Sequence, residues 1–235
     1  MDMVSDTTSP YPQMLPAASQ FAAYMGQLGI QPDDILVVYD AFDVGTYSAP
    51  RAAWTCRYFG HKSVYVLNNF RLYVEQQFPI AEGELLNLPH RDYPVHEPNP
   101  NQTISFDELR SLILQRPREY QIIDSRIPGR FSGAQEEADP SLRSGHMPSA
   151  INIPLAAILD TDTKAVLPLD RLKALFQNAG VQQSSHLILT CNSGITAAAL
   201  DLVLQEVGFG SERRLYDGSW MEWTRRAESA LVIKD

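Results

Sequence analysis

The segment CNSGITAAAL carries the chemistry that this chain can offer, beginning with the thiol of Cys191 and followed by Asn192, Ser193, Gly194, Ile195 and Thr196. A strand-favouring run, Leu187 to Thr190, leads into it, and helical sequence starts near Ile195. A thiol in that position lies among the backbone N–H groups of a tight loop and at the positive end of a helix dipole. Both favour thiolate over thiol. Gly194 lets the loop curl without steric penalty, and Ala197 to Ala199 let the helix start close against a sheet. The expected centre is a cradled, nucleophilic thiolate.

Such a thiolate could attack phosphorus, a carbonyl or sulfur. Cysteine phosphatases need an arginine at the sixth position after the cysteine to clamp phosphoryl oxygens, and here that position is Ala197. A papain-like pair needs a histidine. His186 begins the strand, a strand length from the thiol, and His146 lies in a GH-x-P turn, so both read as structural. Redox C-x-x-C and zinc spacings are absent, so neither a metal nor a cofactor is implied. Free cysteines are commonly just small buried residues. That is the expected role of Cys56, set among apolar neighbours in AAWTCRYF; for Cys191 the strand end, the glycine, the hydroxyls of Ser193 and Thr196 and the following helix argue otherwise.

The elements that must hold this loop emerge from an internal repeat. LGIQPDDILVVYD, residues 28–40, runs parallel to AGVQQSSHLILTC, residues 179–191, and the two stay in step through a helix (49–59; 195–207), a glycine (Gly60; Gly208) and a short strand (SVYVLNNF; RRLYDGSW). Strands alternating with helices predict an α/β fold of tandem domains, each a mostly parallel sheet flanked by helices, with sites at the carboxyl ends of strands. Asp40 and Cys191 occupy that place, so only the second copy can do thiol chemistry and the first is expected to be scaffold. A helix at 106–115, a strand at 120–126 and a helix from Asp170 precede the second copy, whereas only 39 residues precede Asp40. The expected organisation is a first domain over 1–79, incomplete at its N-terminus, a Pro-rich linker over 80–103 and a complete second domain over 104–235. A sheet lacking strands exposes edges and apolar surface, so low stability or self-association through the first domain is expected.

Composition sets the partners. With 235 residues, 44% of them hydrophobic, the chain can bury a sizeable core. No run approaches the roughly 18 apolar residues of a membrane span, and the start MDMVSDTTSPYP lacks the features of a leader. A formal charge of -9 argues against nucleic acid, and two distant cysteines suit a reducing compartment.

CNSGITAAAL, YDGSWMEW, SGHMPSAINIP and YDAFDVGTYSAPRAAWTCRYFGH resemble the two-domain thiosulfate/3-mercaptopyruvate sulfurtransferases of rhodanese fold, and the similarity covers nearly the whole chain. The resemblance implies an enzyme that moves a sulfane sulfur through a Cys191 persulfide, from a small anionic donor to cyanide, a small thiol or a thioredoxin-like protein, in the cytoplasm or the mitochondrial matrix. Thiosulfate-preferring members resemble C-R-K-G and mercaptopyruvate-preferring members C-G-S-G, so Cys191-Asn192-Ser193-Gly194 points to mercaptopyruvate, or failing that thiosulfate. Ser193 would handle the substrate's proton or carbonyl, the loop from Asn192 through Gly194, Ile195 and Thr196 would line the site, and Arg130 of GRF would grip the carboxylate. The family's second carboxylate-binding arginine corresponds to Asp139, leaving Arg143 either as its substitute or as a solvated loop charge. The Asp and His that complete the family's Ser-His-Asp relay belong to the part of the first domain expected to be missing. The competing reading, for that reason, is a non-enzymatic persulfide carrier or a regulatory binding module.

Overall fold

In the second copy the two central strands of the sheet put apolar residues on both faces, and that dictates a three-layer arrangement. The computed structural model describes residues 5–83 and 88–235. Four parallel strands, β3 (Tyr120–Asp124), β4 (Ile151–Asn152), β5 (His186–Thr190) and β6 (Glu212–Leu215), lie in the order β4-β3-β5-β6. Ile123, Leu187 and Leu189 face one core with α6 (Leu169–Asn178) and α7 (Ile195–Val207). Ile122 and Ile188 face the other, with α4 (Phe106–Gln115) and α8 (Ser219–Arg226). Covered on both faces, the sheet needs continuous apolar strands such as HLILT. From β3 the chain crosses to β4 on one side, then returns to β5 on the other. In α/β sheets such a reversal marks where sites form, here at the carboxyl ends of β3 and β5.

Local signals fix the helix ends. Ser105 accepts the Glu108 N–H (3.3 Å) at the start of α4, with acidic residues in the first turn. At the end of α7 Gly208 takes φ 72°, which closes the helix in the left-handed conformation.

The first copy contains α1 (Ala18–Gln27), β1 (Leu36–Val38), α2 (Ala49–Tyr58), β2 (Val64–Val66) and α3 (Phe70–Glu75). β1 and β2 pair in parallel, so the counterparts of β5, α7 and β6 are present as β1, α2 and β2; no counterpart of β3 or β4 occurs among the described residues. Phe21 stacks on Phe59 (4.6 Å) in a small core that also holds Met25 and Tyr93. Tyr93 comes from the expected linker, and its hydroxyl meets His61 Nδ1 at 2.8 Å, so this stretch is tied down although its one regular element among the described residues is the 3-10 turn Pro100–Gln102. Residues 84–87 of the linker lie outside the described residues. Trp54 of α2 packs against the core of the second copy, which joins the two units along α2 and α7. Val37 and Tyr65 on the β1–β2 sheet remain 54% and 59% exposed, and Ile35 (71%) and Tyr39 (55%) extend that apolar face.

Candidate active site

β5 carries the chain to the carboxyl edge of the sheet and Cys191 leaves it there, 2% exposed. The first turn of α8 holds the backbone of the loop. Cys191 N–H donates to Ser219 Oγ (3.2 Å), Trp220 N–H donates to the Cys191 carbonyl (2.9 Å), and Met221 N–H donates to the Asn192 carbonyl (3.1 Å). Ser219 is itself fixed by donating Oγ–H to the Tyr216 carbonyl (2.8 Å), and it takes φ 48°, a left-handed conformation unfavourable for a residue with a side chain. Gly194 caps α7 at φ 80°, where any other residue would be strained.

The loop's side chains are spoken for in different ways. Ser193 Oγ donates to Gln13 Oε1 at 2.9 Å, and Thr196 shares a 2.6 Å hydrogen bond with Ser125, the residue just past β3. Asn192 Oδ1 is buried without a hydrogen-bond partner among the described residues, and Ile195 turns its side chain into the core. The expectation that the first domain is only scaffold is therefore corrected, because Gln13 from its N-terminal segment reaches the loop. The group opposite Ser193 is an amide, which cannot take up a proton at ordinary pH.

The first copy supplies an internal control on what such a loop can hold. Asp40 lies just past β1, as Cys191 follows β5. Its carboxylate accepts N–H groups of Tyr47 (2.7 Å), Ser48 (2.9 Å) and Ala49 (3.0 Å) at the start of α2. The strand-loop-helix geometry, used with an acid, cradles an anion. Cys56 is different: burial pushes its thiol up to about 11, so it stays protonated in neutral solution.

Just past the carboxyl end of β3, Arg126 is sandwiched between Asp124 (2.7 Å) and Glu137 (2.9 Å), with a further bond to the Gly145 carbonyl (2.6 Å). All three side chains of this cluster are buried, and the guanidinium lies 3.9 Å from the centre of the Trp220 ring. Burial pushes the Glu137 carboxyl up, against the pull of Arg126 and Arg130. Asp124, Arg126 and the GHMP turn thus fix the strand and loop geometry.

Arg130 sits on the short helix α5 (Pro128–Ser132), with Glu137 Oε2 3.7 Å from its Nε, and its side chain donates no hydrogen bond among the described residues. Arg143 does not serve as a second carboxylate grip, which corrects the sequence expectation. Its guanidinium donates to the Thr224 and Ala227 carbonyls (2.5 and 2.9 Å) and so caps the end of α8. Asp139 pairs with Arg225 at 3.0 Å. His146 Nδ1 is hydrogen-bonded to the Phe131 carbonyl and His186 pairs with Glu212, so neither is joined to Cys191. Sequence reasoning missed Ser125, Ser219 and Gln13. Ser125 follows directly on β3, the neighbour of β5, a position that could have marked it, whereas Ser219 opens α8 four residues after β6 ends. Gln13, 180 residues from Ser193, gives no such signal.

The chain as a whole is similar to known proteins. A model of the rhodanese-like domain matches residues 105–226. The chain is 38% identical over 236 residues to the 3-mercaptopyruvate sulfurtransferase of Rattus norvegicus, covering 99% of this chain and 77% of that protein. It is 39% identical over 225 residues to the thiosulfate sulfurtransferase of the same species, covering 94% and 73%. The crystal structure of Tum1 from Saccharomyces cerevisiae superposes with a TM-score of 0.91 at 32% identity, over 99% of this chain and 80% of that one.

Proposed function

The chain belongs to the family of thiosulfate/3-mercaptopyruvate sulfurtransferases built on the rhodanese fold, and from that premise we propose that it moves sulfur from 3-mercaptopyruvate through a persulfide on Cys191. The observation that carries this reading is the held loop between β5 and α7, whose twin in the first copy accommodates the Asp40 carboxylate. A loop built for an anion suits the thiolate that must attack and the persulfide anion that follows.

The Cys191 thiolate attacks the donor's sulfur. An S–S bond forms as the donor's C–S bond breaks, and the electron pair leaves as the enolate of pyruvate, which takes up a proton. An acceptor thiolate or cyanide then attacks the outer sulfur and returns the electron pair to Cys191. Between its two steps the enzyme stores only sulfur. Ser193, donating to the Gln13 amide oxygen, keeps its lone pairs to accept the donor's thiol proton; to donate to the substrate carbonyl it turns its one O–H away from Gln13. Asn192, with a buried oxygen left unpaired, and the backbone from Gly194 to Thr196 line the same site.

Mercaptopyruvate is favoured over thiosulfate because the loop Cys-Asn-Ser-Gly-Ile-Thr holds no cation to meet a dianion. Arg130, whose guanidinium makes no hydrogen bond among the described residues and has Glu137 3.7 Å away, grips the carboxylate. Arg130→Ala is expected to raise the KM for mercaptopyruvate roughly ten- to a hundredfold, the loss of a charge-assisted bond of about 1.5 to 3 kcal/mol. Thiosulfate is expected to lose less, and equal losses in steady-state assays with both donors would make Arg130 structural.

Acceptors of this chemistry are small thiols and thioredoxin-like proteins, in a reducing compartment such as the cytoplasm or the mitochondrial matrix. Among the described residues no helix is long and apolar enough to cross a membrane. The apolar face of Ile35, Val37, Tyr39 and Tyr65 favours pairing between copies of the chain. Light scattering is expected to show a mass above the monomer that falls when Val37 and Tyr65 are replaced by Lys; a monomer at all concentrations would remove this part of the reading.

A further inference from the structure

One arginine of the first copy meets the sulfur loop from behind. Arg51, in the first turn of α2, is 1% exposed. Its Nη2 donates to Asp217 Oδ1 (2.5 Å) and to the Gln13 carbonyl (3.1 Å). The other oxygen of Asp217 accepts the Leu15 N–H at 2.8 Å. One guanidinium and one carboxylate thereby clip residues 13–15 onto the turn between β6 and α8. The side chain of Gln13, held by this clip, accepts the Ser193 hydroxyl (2.9 Å). Gln13 takes φ 63°, a left-handed conformation that persists only when its surroundings impose it.

The same arginine touches the loop at a second point. A Cβ added at Gly194 would lie 3.0 Å from Arg51 Nη1 and 3.2 Å from the Asp217 carbonyl oxygen. Glycine at 194 thus answers two demands, a left-handed backbone and the approach of this cation. Nη1 is buried and has no hydrogen-bond partner among the described residues. An arginine that served packing alone would be expected to satisfy all its buried donors, since an unpaired one is costly. Here the unpaired donor lies against the loop that carries the nucleophile.

We propose that Arg51 is a positioning residue for sulfur transfer: with Asp217 it latches the N-terminal segment to the second domain and sets Gln13 against Ser193. The first domain, which has an acid where the second has its cysteine, in this way shapes the reaction without touching the sulfur. The latch rests on the reading of Cys191 and Ser193 given above. It differs from a general stabiliser in acting through one hydroxyl.

A double-mutant cycle on the full chain tests this, with kcat and KM for mercaptopyruvate read alongside persulfide formation by intact mass. Arg51→Met is expected to lower kcat about tenfold to a hundredfold, as misplacing a reacting group by a fraction of its reach does. In a Ser193→Ala background the same change is expected to cost less than about twofold, because the group it positions is gone. Arg51→Met removes the partner of a carboxylate, so Asp217→Asn, at a site nearer solvent, tests the same latch if the first variant does not fold. Equal losses of kcat in both backgrounds would overturn the latch while leaving the persulfide reading intact. A wild-type chain that forms no persulfide would overturn both.

Discussion

Cys191→Ser is expected to abolish sulfur transfer from mercaptopyruvate and thiosulfate alike, with the fold retained. The loop offers one sulfur nucleophile; a serine hydroxyl in its place makes no persulfide. Retention of the fold follows from how the loop is held. Its bonds to α8 run through the Cys191 N–H, the Cys191 carbonyl and the Asn192 carbonyl, none of which the substitution removes. The change exchanges one small buried side chain for another and is expected to leave the unfolding midpoint close to that of the parent. Cys56→Ser provides the contrast. Burial holds that thiol up at about 11, so its loss is expected to leave turnover within about twofold. Thiocyanate formation from cyanide reads both variants, and equal activity in Cys191→Ser and the parent would remove Cys191 from the mechanism.

The second large effect is on stability. Arg126→Met is expected to destabilise the chain by about 3 to 5 kcal/mol, because it strips the cation from between two buried carboxylates. Asp124 is fully buried and Glu137 nearly so, and they would be left to repel one another in a poorly solvated place. Gly145 would lose the donor to its carbonyl, and Trp220 the guanidinium over its ring. Since Trp220 donates to the Cys191 carbonyl, activity is expected to fall as well. Adding Asp124→Asn and Glu137→Gln to Arg126→Met is expected to recover part of the loss by removing the stranded charges. Urea unfolding measures all of this; a loss below about 1 kcal/mol for Arg126→Met would mean that the carboxylates are stabilised by other means.

How far the sequence discloses this molecule depends on whether a feature is local. α7 has the expected bounds, and so does α4, because Ser105, Gly194 and Gly208 punctuate them at the residue level. The strand before Cys191 is legible from its apolar run, and the carboxyl-end rule then gives the place of the candidate loop. Short elements were not legible: α5 has five residues, β4 two, and neither is long enough to repeat its period of 3.6 or 2. Arg143 was misread for a different reason. An arginine near an expected anion site looks like a ligand, and only the fold shows that the carbonyls of Thr224 and Ala227 come within its reach. The pairing of Gln13 with Ser193 and the Arg51–Asp217 ion pair join segments 180 and 166 residues apart. No periodicity or spacing encodes such contacts, since they arise from the packing of α2 against α7.

The central claim, that Cys191 carries the sulfur, is tested most directly by the intact mass of the protein after reaction with mercaptopyruvate in the absence of acceptor. The account expects the mass to rise by one sulfur atom, the extra sulfur to map by peptide analysis to Cys191, and cyanide to discharge it as thiocyanate while restoring the original mass. A chain that turns over mercaptopyruvate with no such increment on Cys191, or that carries the sulfur on Cys56, would contradict it.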